Sequence, residues 1–439
     1  MGKLEKIKPK AAGIDIGSEK IFVAIEEQEV KSFRTFTSSL HQAVEYLQLH
    51  RIESVAMEAT GVYWVALYDL LEQTGMEVFL VNPTETKNVP GRKTDVQDCQ
   101  WIQQLHSYGL LHRSFIPDHT IRELRVYVRL REDHIGMASA HVQHMQKALT
   151  MMNIRLHEVI SQIQGSSGVK IIEAILSGER DAEKLALLCN RQILKNKKGD
   201  VIESLQGNYR SEQLFALQQA LDSWRHYNDK IEECDKRIEL LLKEVTQSKP
   251  PVEQLSKAKP IRHHRPNVAN LHEKLSQLLE GKDPTVLPGI TDYTVMQLIA
   301  EVGTDLTRWS SSKHFTSWSG LAPGKNTSGK ITKRSKKNIN TRVAQIFRKA
   351  AQSLLQSKHI ALGAFARRLK ARKGPMIAIK ATARKLAVMF YNLLTKGLDY
   401  VEQGVKKYEE QYKTQMTKFL QKKAAEFGYA MVAITAPQG

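Results

Sequence analysis

The sequence predicts an α/β domain, then a long helical middle, then a mostly helical and strongly basic C-terminal domain. Three observations carry that prediction. Over roughly the first 115 residues, short apolar runs alternate with amphipathic ones, as strands and helices do when interleaved. From residue 120 to about 280, long stretches lack Gly and Pro and are rich in Leu, Gln, Glu, Lys and Arg, which suits long helices. Charge is localised: residues 301–400 hold 21 Lys and Arg against Glu301, Asp305 and Asp399, while the other 339 residues hold 44 basic and 43 acidic side chains. At 439 residues and a net charge of +19, the chain has room for two or three domains with full cores.

The first elements follow in order. "AAGIDIG" and "KIFVAIEE" read as strands joined by a short turn at Ser18 and Glu19, and "EVKSFRTFT" as a third strand. "SLHQAVEYLQLH" is an amphipathic helix, "SVAMEAT" a fourth strand, "VYWVALYDLLEQT" a helix and "MEVFLVNP" a fifth strand. Next comes a helix whose start is marked by Thr94 with Gln97, a capping-box pair, and whose stop is Gly109. A three-strand meander followed by βα units makes a mixed sheet flanked by helices. That is the element order of the ribonuclease H-like, or RuvC-like, fold.

In the middle, residues 212–245 carry apolar side chains at helical spacing among many charges, a long helix able to pair with another. "GSSG" at 165–168 and "SKPPVEQLSKAKPIRHHRP" read as breaks or linkers. The expected domains are 1–155, a catalytic ribonuclease H-like domain; 156–282, a coiled-coil oligomerisation region; 283–400, the basic domain; and 401–439, a helical tail. In the basic domain, "LPGI" followed by a helix suggests a turn whose backbone amides could meet a phosphate. Two basic helices, "VAQIFRKAAQSLLQSK" and "IALGAFARRLKARKG", precede a third, "AIKATARKLAVMFYNLLTKG".

Positive charge confined to one segment points to a polyanion partner rather than to solubility alone. Cys99, Cys189 and Cys234 are far apart and form neither a zinc spacing nor a disulfide framework, which fits a reducing cytosol. No apolar run approaches a membrane span, and the basic N-terminus lacks the apolar core of a signal peptide. A cytoplasmic protein with no membrane partner is expected.

The chemistry is read from four carboxylates. Asp15 sits mid-strand between Ile14 and Ile16, where an acid needs a partner or a metal. Glu58 ends the fourth strand, beside the first in a ribonuclease H-like sheet. Asp95 and Asp98 open the following helix, three residues apart and so on one face. Alone, such a pair reads as support for the helix dipole. Converging with Asp15 and Glu58, it reads as half of a metal cage for magnesium or manganese, which take hard oxygen ligands. Two ions roughly 3.5–4 Å apart would clamp the attacking and leaving oxygens of a phosphodiester. "GIDIGSEKIFVAIE" also resembles the first phosphate turn of sugar kinases, but a second phosphate turn, an adenosine site and a Walker loop are all missing.

The sequence resembles the DEDD transposases of bacterial insertion sequences, the bridge-RNA-guided recombinases. The likeness rests on "GIDIGSEKIFVAI", "AMEATGVYW", "NPTETKNVPGRKTDVQDCQWIQQLHSYGLL" and "LPGITDYTVMQLIAEVGTDLTRWSSSKHFTSWSGLAPGKNTSGK". It implies that Asp15, Glu58, Asp95 and Asp98 bind metal. It also implies a catalytic serine, which falls on Ser328 in "KNTSGK", with Thr327 as the fallback because the loop is about one residue short. Donor and target DNA, an element-encoded guide RNA and a homo-oligomer (dimer or tetramer) follow from the same likeness.

From chemistry alone Ser328 is unexceptional, since a serine before Gly and Lys more often contacts phosphate. Ser310, Ser311, Ser312, Ser317 and Ser319 are competitors whose plain reading is capping. Lys325, Lys330, Lys333, Arg334, Lys336, Lys337 and Arg342 are expected phosphate contacts. Trp309, Phe315 and Trp318 suit either base stacking or a small core, and His263 and His264 a solvated linker. Two rival functions stand: a hydrolytic nuclease of the Holliday-junction-resolvase kind, and a non-catalytic nucleic-acid-binding protein.

Overall fold

The computed structural model describes residues 5–86, 94–252, 255–323, 325–328, 331–334, 341–357 and 360–432. The chain divides into two compact units, Met1–Ile116 and Pro117–Gly439.

In the first unit, strands β1 (Ala11–Ile16), β2 (Lys20–Ile25) and β3 (Lys31–Arg34) form the meander. They are followed by α1 (Thr37–Leu49), β4 (Ser54–Glu58), α2 (Trp64–Gln73), β5 (Glu77–Val81), the short α3 (Pro83–Thr86) and α4 (Asp95–Ser107). The sheet order is β3-β2-β1-β4-β5, with β1 antiparallel to β2 and parallel to β4, and β4 parallel to β5. The mixed sheet is therefore the expected ribonuclease H-like one. Strand β1 is central and buried along almost its whole length, which is why it reads as a continuous apolar run broken by one acid. One core joins Ile14, Ile16 and Val23 of the sheet with Leu40, Leu47, Leu67 and Leu71 of α1 and α2. Ala56, Val81, Ile102 and Leu111 form a smaller cluster involving α4.

The second unit begins with α5 (His119–Met151), then α6 (Leu156–Val159), α7 (Ser166–Leu176), α8 (Ala182–Ala186), α9 (Arg191–Ser204) and α10 (Ser211–Thr246). Helix α10 spans the predicted long helix. Its partner is the chain's own α5, joined through a buried pair: Arg131 Nε lies 2.6 Å from Asp235 Oδ1, and the two side chains are 1% and 3% exposed. Leu149 and Met152 with Leu217 and Leu221 extend that packing into a core shared with α7–α9. The "GSSG" stretch is a helix boundary rather than a free linker. Gly165 caps α7, and Gly168 is buried so tightly that a Cβ there would meet the Ile163 carbonyl oxygen at 2.1 Å.

Then come α11 (Leu271–Leu278), a 3-10 turn at Pro284–Val286, α12 (Asp292–Val302), α13 (Ser312–Trp318), α14 (Arg342–Leu354), α15 (Ala361–Lys373), α16 (Pro375–Lys396) and α17 (Leu398–Glu426). Between α13 and α14 lies a hairpin of β6 (Lys325–Ser328) and β7 (Ile331–Arg334). Its two four-residue strands are polar throughout except Ile331, so period-two alternation could not announce them. Phe315 is fully buried and packs with Trp309, Trp318, Phe347 and Tyr391. These aromatics are a core rather than a stacking platform. None of the described helices is long and apolar enough to cross a membrane.

Candidate active site

The site in the first unit is set by how closely α4 lies on β1. Gly13 permits it: a Cβ there would stand 2.2 Å from the Gln103 backbone nitrogen and 2.4 Å from the Cys99 carbonyl oxygen. Thr94 caps the helix by accepting from the Gln97 N–H at 3.3 Å. At the far end Gly109, at φ +67°, turns the chain so that Leu110 N–H donates to Leu105 O and Gly109 N–H to His106 O, a Schellman stop. The buried face of α4 is Cys99, Ile102, Gln103, His106 and Ser107; Trp101 and Leu105 are only half-buried. Gln103 donates to the Ala11 carbonyl oxygen, and His106 Nε2 lies 2.7 Å from the Ser54 hydroxyl. Burial, aided by the charge of Lys8, holds the His106 imidazole down to about 4, so it is a neutral core residue near pH 7.

On that framework the parallel register setting Ile14 beside Met57 brings Asp15 and Glu58 to neighbouring positions on β1 and β4. Asp15 is pushed up to about 6, first by burial, then by the negative charges of Asp95, Glu58 and Asp98. The Ile16 N–H opposes the shift by hydrogen bonding. Cys99, on the next turn of α4, is pushed up to about 12, mainly by burial and secondly by Asp15. Three of the carboxylates named from sequence, Glu58, Asp95 and Asp98, thus act electrostatically on the fourth, Asp15. Among the described residues, however, no three His, Cys, Asp or Glu side chains are placed to hold one ion.

Two residues at this site had not been singled out. Thr86, buried at the end of α3, donates to Glu58 Oε2 at 2.7 Å, and Thr60 donates to Glu58 Oε1 at 3.4 Å. Only the run "EATG" with "NPTET" could have hinted at them, and hydroxyls are too common to stand out there.

In the second unit, Ser328 ends β6, opposite Ile331, and Thr327 stands opposite Thr332. Lys325 is in register with Arg334, and Asn326 with Lys333. Lys330, Lys336 and Lys337 lie outside the described residues. Arg342 opens α14 and pairs with Glu132 at 3.1 Å. The competing serines take plain roles: Ser311 caps α13 through the His314 N–H, Ser310 and Ser311 both lie against His314 Nδ1, and Ser319 bonds the Phe315 carbonyl oxygen. The "LPGI" turn places Gly289 at φ +72° and starts α12 with the Thr291 cap. That helix start carries its own acid: Asp292 is buried and accepts from His272 at 2.6 Å.

Two family models match the chain. One, a DEDD transposase of the IS110 group, covers residues 12–154; the other, the transposase IS116/IS110/IS902 family, covers 285–365. A search of curated proteins returns no match. Asp15, Glu58, Asp95 and Asp98 all fall inside the first match, Ser328 inside the second, and together the matches span just over half of the sequence. The chain belongs to the IS110 family of DEDD transposases.

Proposed function

We propose that this transposase cuts and rejoins DNA with Asp15, Glu58, Asp95 and Asp98 on one side of the reaction and Ser328 as nucleophile on the other. The observation that carries the reading is the repulsion felt at Asp15, whose proton is retained to about pH 6 by burial and by the other three carboxylates. Such a cluster calls for a cation, and its all-oxygen donor set fits magnesium or manganese, one ion or two. Bound there, a divalent ion would act as a Lewis acid on a phosphodiester oxygen.

The chain's own residues prepare that site. Gly13 lets α4 rest on β1, and Thr86 and Thr60 hold the Glu58 carboxylate. The Ser328 hydroxyl would attack phosphorus. An Oγ–P bond forms, the bond from phosphorus to one bridging oxygen breaks, the serine proton goes to a base and the leaving oxygen takes a proton. A DNA hydroxyl attacking the phosphoserine reverses these steps, so rejoining needs no ATP. Thr327 is the fallback nucleophile.

Lys325, Lys330, Lys333, Arg334, Lys336 and Lys337 would contact phosphates around it, and Arg342 would do so by exchanging Glu132 for a phosphate. We assign residues 1–155 to the carboxylate domain, 156–282 to oligomerisation, 283–400 to the serine domain and 401–439 to a helical tail. An RNA encoded by the element would choose donor and target DNA. A dimer or tetramer would combine the carboxylates of one subunit with the serine of another.

The test is mixing. Asp98→Asn and Ser328→Ala proteins should each be inactive in strand exchange yet recover part of the activity together, with protein–DNA adducts on denaturing gels. Mixed oligomers that form and stay inactive would place each site within one subunit. Cleavage without any adduct would favour the hydrolytic reading, in which the carboxylates activate water, and adducts persisting in Ser328→Ala would turn attention to Thr327.

A further inference from the structure

The α15–α16 hairpin belongs to neither the carboxylate cluster nor the Ser328 strand. Its residues, 361–397, carry nine Lys and Arg and no Asp or Glu. The helices meet at a single residue, Gly374, at φ +85°. They pack closely through small side chains: Ala364 and Ala366 of α15, and Ala378 and Ala383 of α16, are buried. Gly363 is held tightly, since a Cβ there would meet the Ser357 carbonyl oxygen at 2.7 Å. Lys385 Nζ lies 4.3 Å from the Phe365 ring centre, joining one helix to the other. The hairpin is therefore a stiff support.

Its tip is where the support is not covered. From Lys370 to Ile377 every residue is exposed except Gly374, which is half-buried. Lys370, Arg372 and Lys373 form no ion pair with any described residue. Beside them Pro375, Met376 and Ile377 make a short apolar ridge, with Met376 80% and Ile377 40% exposed. An apolar ridge on a rigid turn, flanked by unneutralised cations, is the arrangement by which proteins pry at a base step from the minor groove while basic side chains hold the phosphates.

We propose that this tip is a duplex-DNA wedge: Lys370, Arg372 and Lys373 grip the backbone while Met376 and Ile377 press between base pairs. The proposal rests on the DNA-acting reading and adds a second contact surface to it. Single-stranded nucleic acid is the poorer fit, because its recognition relies on exposed aromatic rings. The tip has none, and Phe365 is occupied by Lys385. A lipid surface is also a poorer fit, since interfacial helices bring a much longer apolar face.

The experiment uses the full chain and a short DNA duplex rich in TA steps, which unstack readily, with 2-aminopurine in place of the adenines at those steps. The dye brightens when unstacked. Wild-type protein should bind and brighten the duplex. Met376→Ala/Ile377→Ala should bind within about threefold and lose most of the brightening. Lys370→Gln/Arg372→Gln/Lys373→Gln should lower the slope of log affinity against log salt by about 2–3. All five side chains are exposed, so both variants keep the fold.

No brightening by wild type, undiminished brightening by the apolar variant, or an unchanged slope in the charge variant overturns the wedge and leaves the transposase reading intact. Preference for an RNA duplex of the same sequence, or Met376-dependent binding to phosphatidylglycerol vesicles, reassigns the tip and equally overturns it. Wild-type protein that binds no duplex even at low salt would remove the DNA-acting reading as well.

Discussion

The two units treat buried charge in opposite ways. In the second unit Asp235, Glu301, Asp283 and Asp292 each have a basic side chain beside them. Asp235 is paired with Arg131, which also donates to the His264 carbonyl oxygen, while the Asn267 N–H donates to Asp235. Glu301 accepts from Arg129 Nε and Nη2, at 2.8 and 2.7 Å. Asp292 and Asp283 flank His272. In the first unit Asp15 is pushed up first by its burial and then by three neighbouring carboxylates. Paired charges tie helices together and belong to the scaffold. A half-buried acid raised by its carboxylate neighbours lowers stability by itself and marks a place suited to a cation. The difference separates architecture from site without reference to any relative.

If that is right, removing a carboxylate or its partner has opposite signs in the two units. The largest effect is expected at the Arg131–Asp235 pair. Arg131→Met leaves Asp235 buried without its cation and should destabilise the second unit by about 3–5 kcal/mol, whereas Arg131→Met with Asp235→Leu should regain most of the loss. Chemical denaturation of the two variants is the measurement. Equal losses in single and double variants would mean that packing, not charge pairing, holds α5 to α10.

Next comes Gly13→Val. Its side chain has no room beneath α4, and the atoms it meets are backbone. A loss of about 3 kcal/mol or more is expected, read as faster hydrogen exchange of β1 amides. A smaller loss would mean that α4 can move outward, and strand exchange would then show whether the carboxylates must be held so closely.

What could be read from sequence follows the same division. The sheet and its order were legible because the strands are apolar runs, and Asp15 was conspicuous because an acid interrupts one of them. Asp95 and Asp98 were legible through the cap at Thr94. Gly13 was not, because its role depends on a helix some 90 residues away in sequence (its neighbours are Cys99 and Gln103). The β6–β7 hairpin escaped because its strands are short and polar. The long helix at 211–246 was expected to seek another helix, and the one it found is α5, since apolar spacing states that a face must be covered and not by what. The buried pairs of the second unit were hidden among the many charges of the middle region, where Arg131 and Asp235 look like solvated residues.

Asp15→Asn should act in the opposite direction. Its folded pKa is raised from 3.8 to about 6, so whatever stability Asp15 contributes is present below about pH 4 and is lost as pH rises through 6. In metal-free protein at pH 7 the neutral amide should therefore stabilise the first unit by on the order of 1–2 kcal/mol after allowing for solvent access. The gain should vanish near pH 4. Stabilisation that persists there, or a loss at pH 7, would mean that the carboxylates do not repel as placed.

The smallest effect sharpens the comparison at His272. Burial alone would lower its pKa, but the hydrogen bond to Asp292 and the charges of Asp292 and Asp283 outweigh burial and raise it above 6.5. A raised histidine contributes stability that is complete below its ordinary value and is lost as pH rises through the folded one. Both groups thus contribute less stability as pH rises, yet for different reasons, and substitution separates them. His272→Gln should cost the second unit stability at pH 6, and the cost should shrink as pH rises through the raised folded pKa and the wild-type imidazole loses its charge. Asp15→Asn should do the reverse in the first unit, adding little at pH 4 and most at pH 7. Hydrogen exchange of α12 amides for His272 and of β1 amides for Asp15, across that pH range, reads each unit by its own reporters. If the His272→Gln loss stays constant through the pH at which the wild-type imidazole titrates, read by NMR, the imidazole holds Asp292 as a neutral hydrogen-bond donor, and charge pairing is not what sets α12 against α11.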